Sequence, residues 1–283
     1  MVGCRSTLRT FLVVTVFLFT TFIGTAQSTL RGRVVYCGDT IGVPYANLYS
    51  TDLALGTVAD STGNFSLSLP PAALSEHVLT LSSVGFARSE YALATGAASS
   101  PVELCLSPIS ATAPPVTVTG KRFRQKKTYG NTSESRNIVS GWAVQARSGA
   151  ERGTFIRLKP DRDHLLKEIG LHIAHSTYDS LRLRFHLYPV TGMEIAPQPT
   201  HSWLLQTSIE HGWIKVGIAE EVIDRERIFV SVEVIETWSR GEQDVLHLSA
   251  GLLTAGLYHR ESKALSWQRA KAGLSLTVAT LRE

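Results

Sequence analysis

Residues 60–69 read Asp60-Ser61-Thr62-Gly63-Asn64-Phe65-Ser66-Leu67-Ser68-Leu69, a turn followed by a strand. The Asp60 carboxylate can accept hydrogen bonds from backbone amides just downstream, and Gly63 supplies a left-handed position at no steric cost. Phe65, Leu67 and Leu69 then fall on one side of an extended chain, with Ser66 and Ser68 on the other, the two-residue period of a strand with one buried face. Pro70-Pro71 ends it. Outward from this stretch the same grammar recurs in Gly32-Arg33-Val34, Pro44-Tyr45-Ala46-Asn47-Leu48, Gly56-Thr57 and Ser82-Ser83-Val84-Gly85-Phe86. Short alternating runs and turns without a helical period predict an antiparallel β-sandwich over residues 27–107.

A second β-rich unit is expected over residues 138–283. Leu181, Leu183, Phe185 and Leu187 alternate with Arg182, Arg184, His186 and Tyr188, and Ile169, Leu171 and Ile173 alternate likewise. Ile228, Val230, Val232 and Val234 form another face, while Phe229 and Ile235 make that strand apolar on both sides. It is therefore expected to be central and covered by loops or by the other domain. Roughly eight strands of this kind suit a jelly-roll-like sandwich. The fold class predicted for the chain is thus all-β, a prealbumin-like sandwich joined through a basic linker at 108–137 to a jelly-roll-like one. Few large apolar side chains occur in that linker, which is expected to be solvated and mobile.

The N-terminus reads as an export signal spanning 1–26. Arg5 and Arg9 precede the apolar run Phe11 to Gly24, and Gly24-Thr25-Ala26 offers small residues at a cleavage site. Fourteen helical residues cover about 21 Å, short of the roughly 30 Å hydrocarbon core, so a cleaved signal is expected rather than a permanent anchor. The formal charge of +4 describes one segment more than a surface. Lys121, Arg122, Arg124, Lys126, Lys127 and Arg136 gather in the linker against the single acid Glu134.

Cys37 and Cys105 are the cysteines that survive signal removal. With Val34 inward, Cys37 falls on the outer face of the first strand; with Val102, Leu104 and Leu106 inward, Cys105 falls on the outer face of the last. Export permits a disulfide between them, the alternative being two free thiols.

The N-terminal motifs resemble the carboxypeptidase-like regulatory domain, a prealbumin-like accessory module. The resemblance rests on the Gly32-x-Val34 opening, Pro44-x-Ala46-Asn47-Leu48, Gly56-Thr57 followed by Asp60-x-x-Gly63-x-Phe65, and Ser82-x-x-Gly85-Phe86. Tyr36 stands where an Asp often follows the opening strand, and Phe86 replaces the commoner Tyr. The module occurs beside metallocarboxypeptidase catalytic domains, at the N-termini of TonB-dependent receptors, and in stand-alone envelope proteins of Gram-negative bacteria. The resemblance implies a periplasmic, outer-membrane-associated or cell-surface protein. The second unit is similar, more faintly, to the C-terminal halves of such stand-alone proteins.

The sequence carries no complete catalytic signature. Zinc peptidase chemistry needs a His-x-x-Glu pair and a distant His, and His77, His164, His172 and His175 do not supply it; these are expected to be surface or loop histidines. No Gly-x-Ser-x-Gly elbow occurs. Asp161-Arg162-Asp163 reads as a solvated turn rather than a calcium site. No catalytic residue, metal or cofactor is expected. All five tryptophans, Trp142, Trp203, Trp213, Trp238 and Trp267, lie in the second unit; Trp238 is the best candidate for an exposed ligand platform, and Trp213 reads as structural. Lys121, Arg122, Arg124, Lys126 and Lys127 could contact anionic lipid or lipopolysaccharide, whereas export argues against nucleic acid. The expectation is a non-enzymatic binding or scaffolding protein with a protein or glycan partner. A carbohydrate-binding module and a cryptic hydrolase assembled from distant loops are the alternatives.

Overall fold

The computed structural model describes residues 28–70, 77–93, 100–109, 123–142, 149–160, 163–239, 241, 244–252, 254 and 256–282. The proposed signal at 1–26, together with Lys121, Arg122, Asp161 and Arg162, lies outside them. Among the described residues every element is a strand. The first unit contains β1 (Ser28–Tyr36), β2 (Asn47–Ser50), β3 (Leu55–Val58), β4 (Asn64–Leu69), β5 (Val78–Ser82), β6 (Ser89–Ala92) and β7 (Val102–Leu106). They form a three-stranded sheet, β4-β1-β7, facing a four-stranded sheet, β3-β2-β5-β6. Leu30, Val34, Leu48, Phe65, Leu67, Leu69, Leu79, Leu81 and Leu106 fill the space between.

The motif residues have local reasons. Asp60 Oδ1 accepts from the amides of Thr62 and Asn64 at 2.8 and 2.9 Å, and Gly63 adopts φ 87°. A Cβ at Gly32 would stand 2.1 Å from the Val102 carbonyl oxygen, so only glycine lets β1 approach β7 this closely. Those two strands run parallel with Val35 opposite Cys105. Cys37, the next residue after β1, is bonded to Cys105 (S–S 2.09 Å). Tyr91 on β6 ties the two sheets together, its hydroxyl donating to the Cys105 carbonyl at 2.6 Å and accepting from the Cys105 amide at 2.9 Å.

The second unit follows with β8 (Gln125–Gly130), β9 (Val139–Trp142), β10 (Glu151–Arg157), β11 (His164–Ser176), β12 (Ser180–Tyr188), β13 (Val190–Thr191), β14 (Glu194–Ile195) and β15 (His201–Thr207). It is completed by β16 (Gly212–Ile223), β17 (Arg227–Trp238), β18 (Leu246–Gly251), β19 (Leu257–Arg260), β20 (Gln268–Ala270), β21 (Gly273–Leu274) and β22 (Leu276–Arg282). A six-stranded sheet runs β15-β12-β17-β10-β19-β20. A seven-stranded sheet runs β21-β18-β11-β22-β8, with β16 also paired to β11 and β9 to β18. The core between them takes Ile169, Leu171 and Ile173 from β11, Leu181, Leu183 and Phe185 from β12, and Val230, Val232 and Val234 from β17. The chain is an all-β, sandwich-class protein.

One expectation requires correction. The basic segment up to 137 is not simply a solvated linker. Gln125–Gly130 pairs antiparallel with β22, so that Lys126 and Lys127 belong to an edge strand of the second sandwich. Tyr129 supplies the inward anchor, and the exposed cations on either side suit a sheet edge, where charge discourages pairing with another chain. Residues 131–138 are pinned over the sheet. Asn131 Nδ2 donates to the Gly273 carbonyl at 2.9 Å, Ser133 Oγ to Ala250 at 3.2 Å, and Ser249 Oγ to the Ser135 carbonyl at 2.7 Å.

Candidate functional site

The face of the six-stranded sheet that points away from its own core carries charge. Cross-strand register decides which residues meet: Arg184 lies opposite Glu233, Glu233 opposite Glu151, and Glu151 opposite Arg260. Four neighbouring strands thus align a cation, two carboxylates and a second cation in one row. Two carboxylates side by side repel each other, and the row holds together only because its flanks neutralise them. Arg184 Nε and Nη2 donate to Glu233 Oε2 at 3.0 and 2.8 Å. Arg260 Nη2 and Lys263 Nζ reach Glu151 Oε1 at 2.6 and 2.5 Å. Tyr188 and Ser231 hydroxyls donate to Glu151 Oε2 at 3.0 and 2.5 Å. Glu151, His186, Glu233 and Tyr188 are all essentially inaccessible to solvent.

The first sandwich covers this face. Arg184 Nη1 donates to the Tyr45 carbonyl at 2.6 Å and Nη2 to Asn47 Oδ1 at 3.1 Å. Arg182 donates to the Tyr45 hydroxyl and to Glu236. Tyr45 and Val58 pack on Ile235, the apolar residue on the far side of β17. Tyr45 holds φ 54°, a left-handed conformation unusual for an aromatic residue, and both arginines grip it there. The pocket between the units lined by Asn47, Tyr49, Ser82, Arg184, His186 and Lys263 among others holds about 20 Å³. That is room for about one water.

Burial and charge set the protonation states. Burial pushes the Glu151 carboxyl upward, but Arg260, Lys263 and His186 together outweigh it and hold it well below the usual range. Burial also opposes ionisation of Glu233, yet Arg184 and the His186 hydrogen bond bring it to about 2. His186 is pushed down to about 4 by burial and the Lys263 charge, against the pull of Glu151. Lys263 is lowered to about 8 by burial. At neutral pH three cations therefore face two carboxylates and a neutral imidazole. With one proton on that ring, Nε2–H donates to Glu233 Oε2 at 2.9 Å, and Nδ1 accepts from the Ser202 hydroxyl at 2.6 Å.

Two chemistries are geometrically suggested. Ser202, His186 and Glu233 are connected in the order of a serine–histidine–carboxylate relay. Glu151, His186 and Glu233 also bring their ligand atoms within 4.8 Å of one another, a donor set that could take a divalent ion. Charge argues against the second. Both carboxylates are already compensated by three cationic side chains, and a divalent ion would leave the pocket with three uncompensated positive charges.

None of Glu151, His186, Glu233 and Lys263 was singled out in the sequence as a site residue. The expectation of surface or loop histidines is corrected for His164 and His172, which are buried on strands. His164 bonds to Thr280 and to the Lys159 carbonyl, and His172 to Ser249. The signal for the cluster was a glutamate within the apolar run Ile228 to Ile235, since a buried charge requires a partner. Trp238 is 40% exposed at the end of β17, with the Arg182 guanidinium 5.3 Å from its ring centre. Arg124, Lys126 and Lys127 are exposed at the edge of the second sandwich, and none of them joins the cluster.

No family model matches the chain, and no curated protein matches it. Among solved structures it is similar to the cysteine protease and lectin-like domains of Cwp84, a surface-layer-associated protein of Clostridium difficile, at 10% identity and a TM-score of 0.33. The match covers 80% of this chain and 46% of that one, so the chain spans about half its length. At that score the likeness carries no argument about activity.

Proposed function

We propose that this chain is a non-enzymatic binding or scaffolding protein of a Gram-negative cell envelope, exported by its N-terminal signal. In this reading a carboxypeptidase-like regulatory sandwich is clamped to a second sandwich, and the pair presents its outer surfaces to a protein or glycan partner. The supporting observation is that, among the described residues, the most reactive-looking cluster is spent on internal pairing. Both carboxylates are held by cations, the imidazole is fixed between Ser202 and Glu233, and the first sandwich covers the row, with a pocket of about 20 Å³ beside His186. A substrate needs a cleft of several hundred Å³. A general base works best with a pKa near the working pH, and His186, at about 4, is a weak one. Gly32 and Gly63, each required by close backbone contacts, lend support to the regulatory-domain resemblance.

The Ser202–His186–Glu233 connection favours one second reading, a hydrolase that opens between its sandwiches. A fluorophosphonate probe and a panel of ester, peptide and glycoside substrates separate the two. No labelling and no turnover is the expected result. Labelling or turnover that Ser202→Ala abolishes, in a variant that still folds, overturns the non-enzymatic reading.

A further inference from the structure

The outer face of the seven-stranded sheet has a feature that the buried cluster does not use. A groove of about 290 Å³ crosses four strands, β8, β22, β11 and β16, with Trp213 as one wall. We infer that this groove is a saccharide-binding trench with the Trp213 indole as its stacking platform. The inference rests on the binding-module reading above and names its ligand class.

The floor is built for access. Register sets Thr128 beside Ala279 and Ala279 beside Glu168, and in the next row Gly130 beside Thr277, Thr277 beside Gly170, and Gly170 beside Lys215. Of the residues that line the groove, Thr128, Thr132, Thr277 and Ala279 have short side chains, so a ligand can lie close to the sheet. Three inter-strand steps of about 4.8 Å make the floor roughly 14 Å long, suited to a short chain of rings rather than one small molecule. A Cβ at Gly170 would stand 2.7 Å from Thr277 Oγ1 and 3.4 Å from the indole, so Thr277 and Trp213 close in over the glycine.

The wall is held rigidly. Trp213 Nε1 donates to Glu134 Oε1 at 2.7 Å, and the ring meets the His172 imidazole edge-on at 5.1 Å between centres. Glu134 belongs to the pinned segment 131–138, and His172 is itself fixed by Ser249 at 2.7 Å. The platform is therefore ordered before any ligand arrives, which reduces the entropic cost of binding.

The chemistry of the rim selects the ligand class. Lys126 and Lys215 are balanced by Glu134 and Glu168, with Lys215 Nζ 3.1 Å from Glu168. With no net charge the groove offers little to an anionic lipid surface or polyanion. It is too polar for an apolar helix, and its floor is a paired sheet face rather than a free strand edge that could add a peptide strand. Alternating donors and acceptors suit a ligand studded with hydroxyls, and an indole suits the apolar C–H face of a pyranose ring. A neutral oligosaccharide has both.

The test titrates the purified chain with cellotetraose, mannotetraose, chitotetraose and laminaritetraose, following tryptophan fluorescence and heat. At least one should bind saturably. Trp213→Ala should weaken that binding more than tenfold. Thr128→Arg, which fills the floor from an exposed edge-strand position, should do the same while leaving thermal unfolding unchanged. Trp238→Ala should stay within twofold. Failure of all four sugars at millimolar concentration overturns the trench. Binding that survives both Trp213→Ala and Thr128→Arg also overturns it, by placing the sugar elsewhere, and leaves the binding-module reading standing. Binding only to anionic lipid vesicles, lost in Trp213→Ala, overturns the saccharide assignment.

Discussion

Replacing Arg184 with methionine keeps an unbranched apolar stem and removes the charged head with its donors. The Arg184 side chain is 8% exposed and that of its partner Glu233 is 0%. Deleting one member of a buried pair leaves the other uncompensated, which costs about 3–5 kcal/mol. The bonds to the Tyr45 carbonyl and Asn47 cross to the first sandwich, and their loss adds about 1 kcal/mol each. The expected loss is therefore roughly 5–7 kcal/mol, a large part of the 5–15 kcal/mol that typically holds a domain folded. The assay is urea unfolding, read by tryptophan fluorescence for the second sandwich, which contains all five tryptophans, and by far-ultraviolet circular dichroism for the whole. The variant should unfold at lower urea and its two signals should separate, because the clamp between the units is weakened. In the double variant Arg184→Met, Glu233→Leu the stranded carboxylate is gone, and most of the loss should be recovered. A single-variant cost below about 1 kcal/mol, the range of exposed pairs, would refute the reasoning by showing that the cluster is solvated.

Other outcomes follow from the same structure. His186 titrates at about 4 in the folded protein, below its ordinary 6.5, so the unfolded chain takes up the proton first. Its contribution is complete above pH 6.5 and is lost as pH falls towards 4; Glu233, lowered from 4.5 to about 2, extends the loss downwards. Melting temperature should therefore decline from pH 6.5 to 4, with the upper part of that slope flattened in His186→Gln; a flat wild-type profile contradicts the assignment. Cys105→Ser opens a link spanning 68 residues and should destabilise the first sandwich by about 4 kcal/mol in the chain-entropy view, with unchanged denaturation as the contrary result. Gly32→Ala forces a Cβ to within 2.1 Å of a backbone oxygen and should cost about 1–3 kcal/mol. Gly217→Ala, with nothing within 4 Å, should change stability by less than about 0.5 kcal/mol; equal effects in denaturation would show that the close approach of β1 to β7 is not limiting.

Local chemistry was legible in the sequence because it acts over a few residues. The alternation of Phe65, Leu67 and Leu69, the Asp60–Gly63 turn and the two-sided apolar run around Phe229 and Ile235 each depend on neighbours in the chain, and they established an all-β protein. Tertiary structure decided what the polar faces do. Arg184 and His186 read as the outward side of an amphipathic strand, and only the placement of the first sandwich over that side makes them buried. Glu151 and Arg260 are 109 positions apart and meet because the register of β10 and β19 sets them opposite each other. The basic run through Lys126 and Lys127 looked like a tether for the same reason. With Tyr129 as its one inward anchor it has too little hydrophobic pattern to announce a strand, and its strand conformation comes from the hydrogen-bonding edge that β22 offers it. Strand periodicity is written in adjacent residues; which faces are covered, and which distant charges become partners, depends on how the sheets dock.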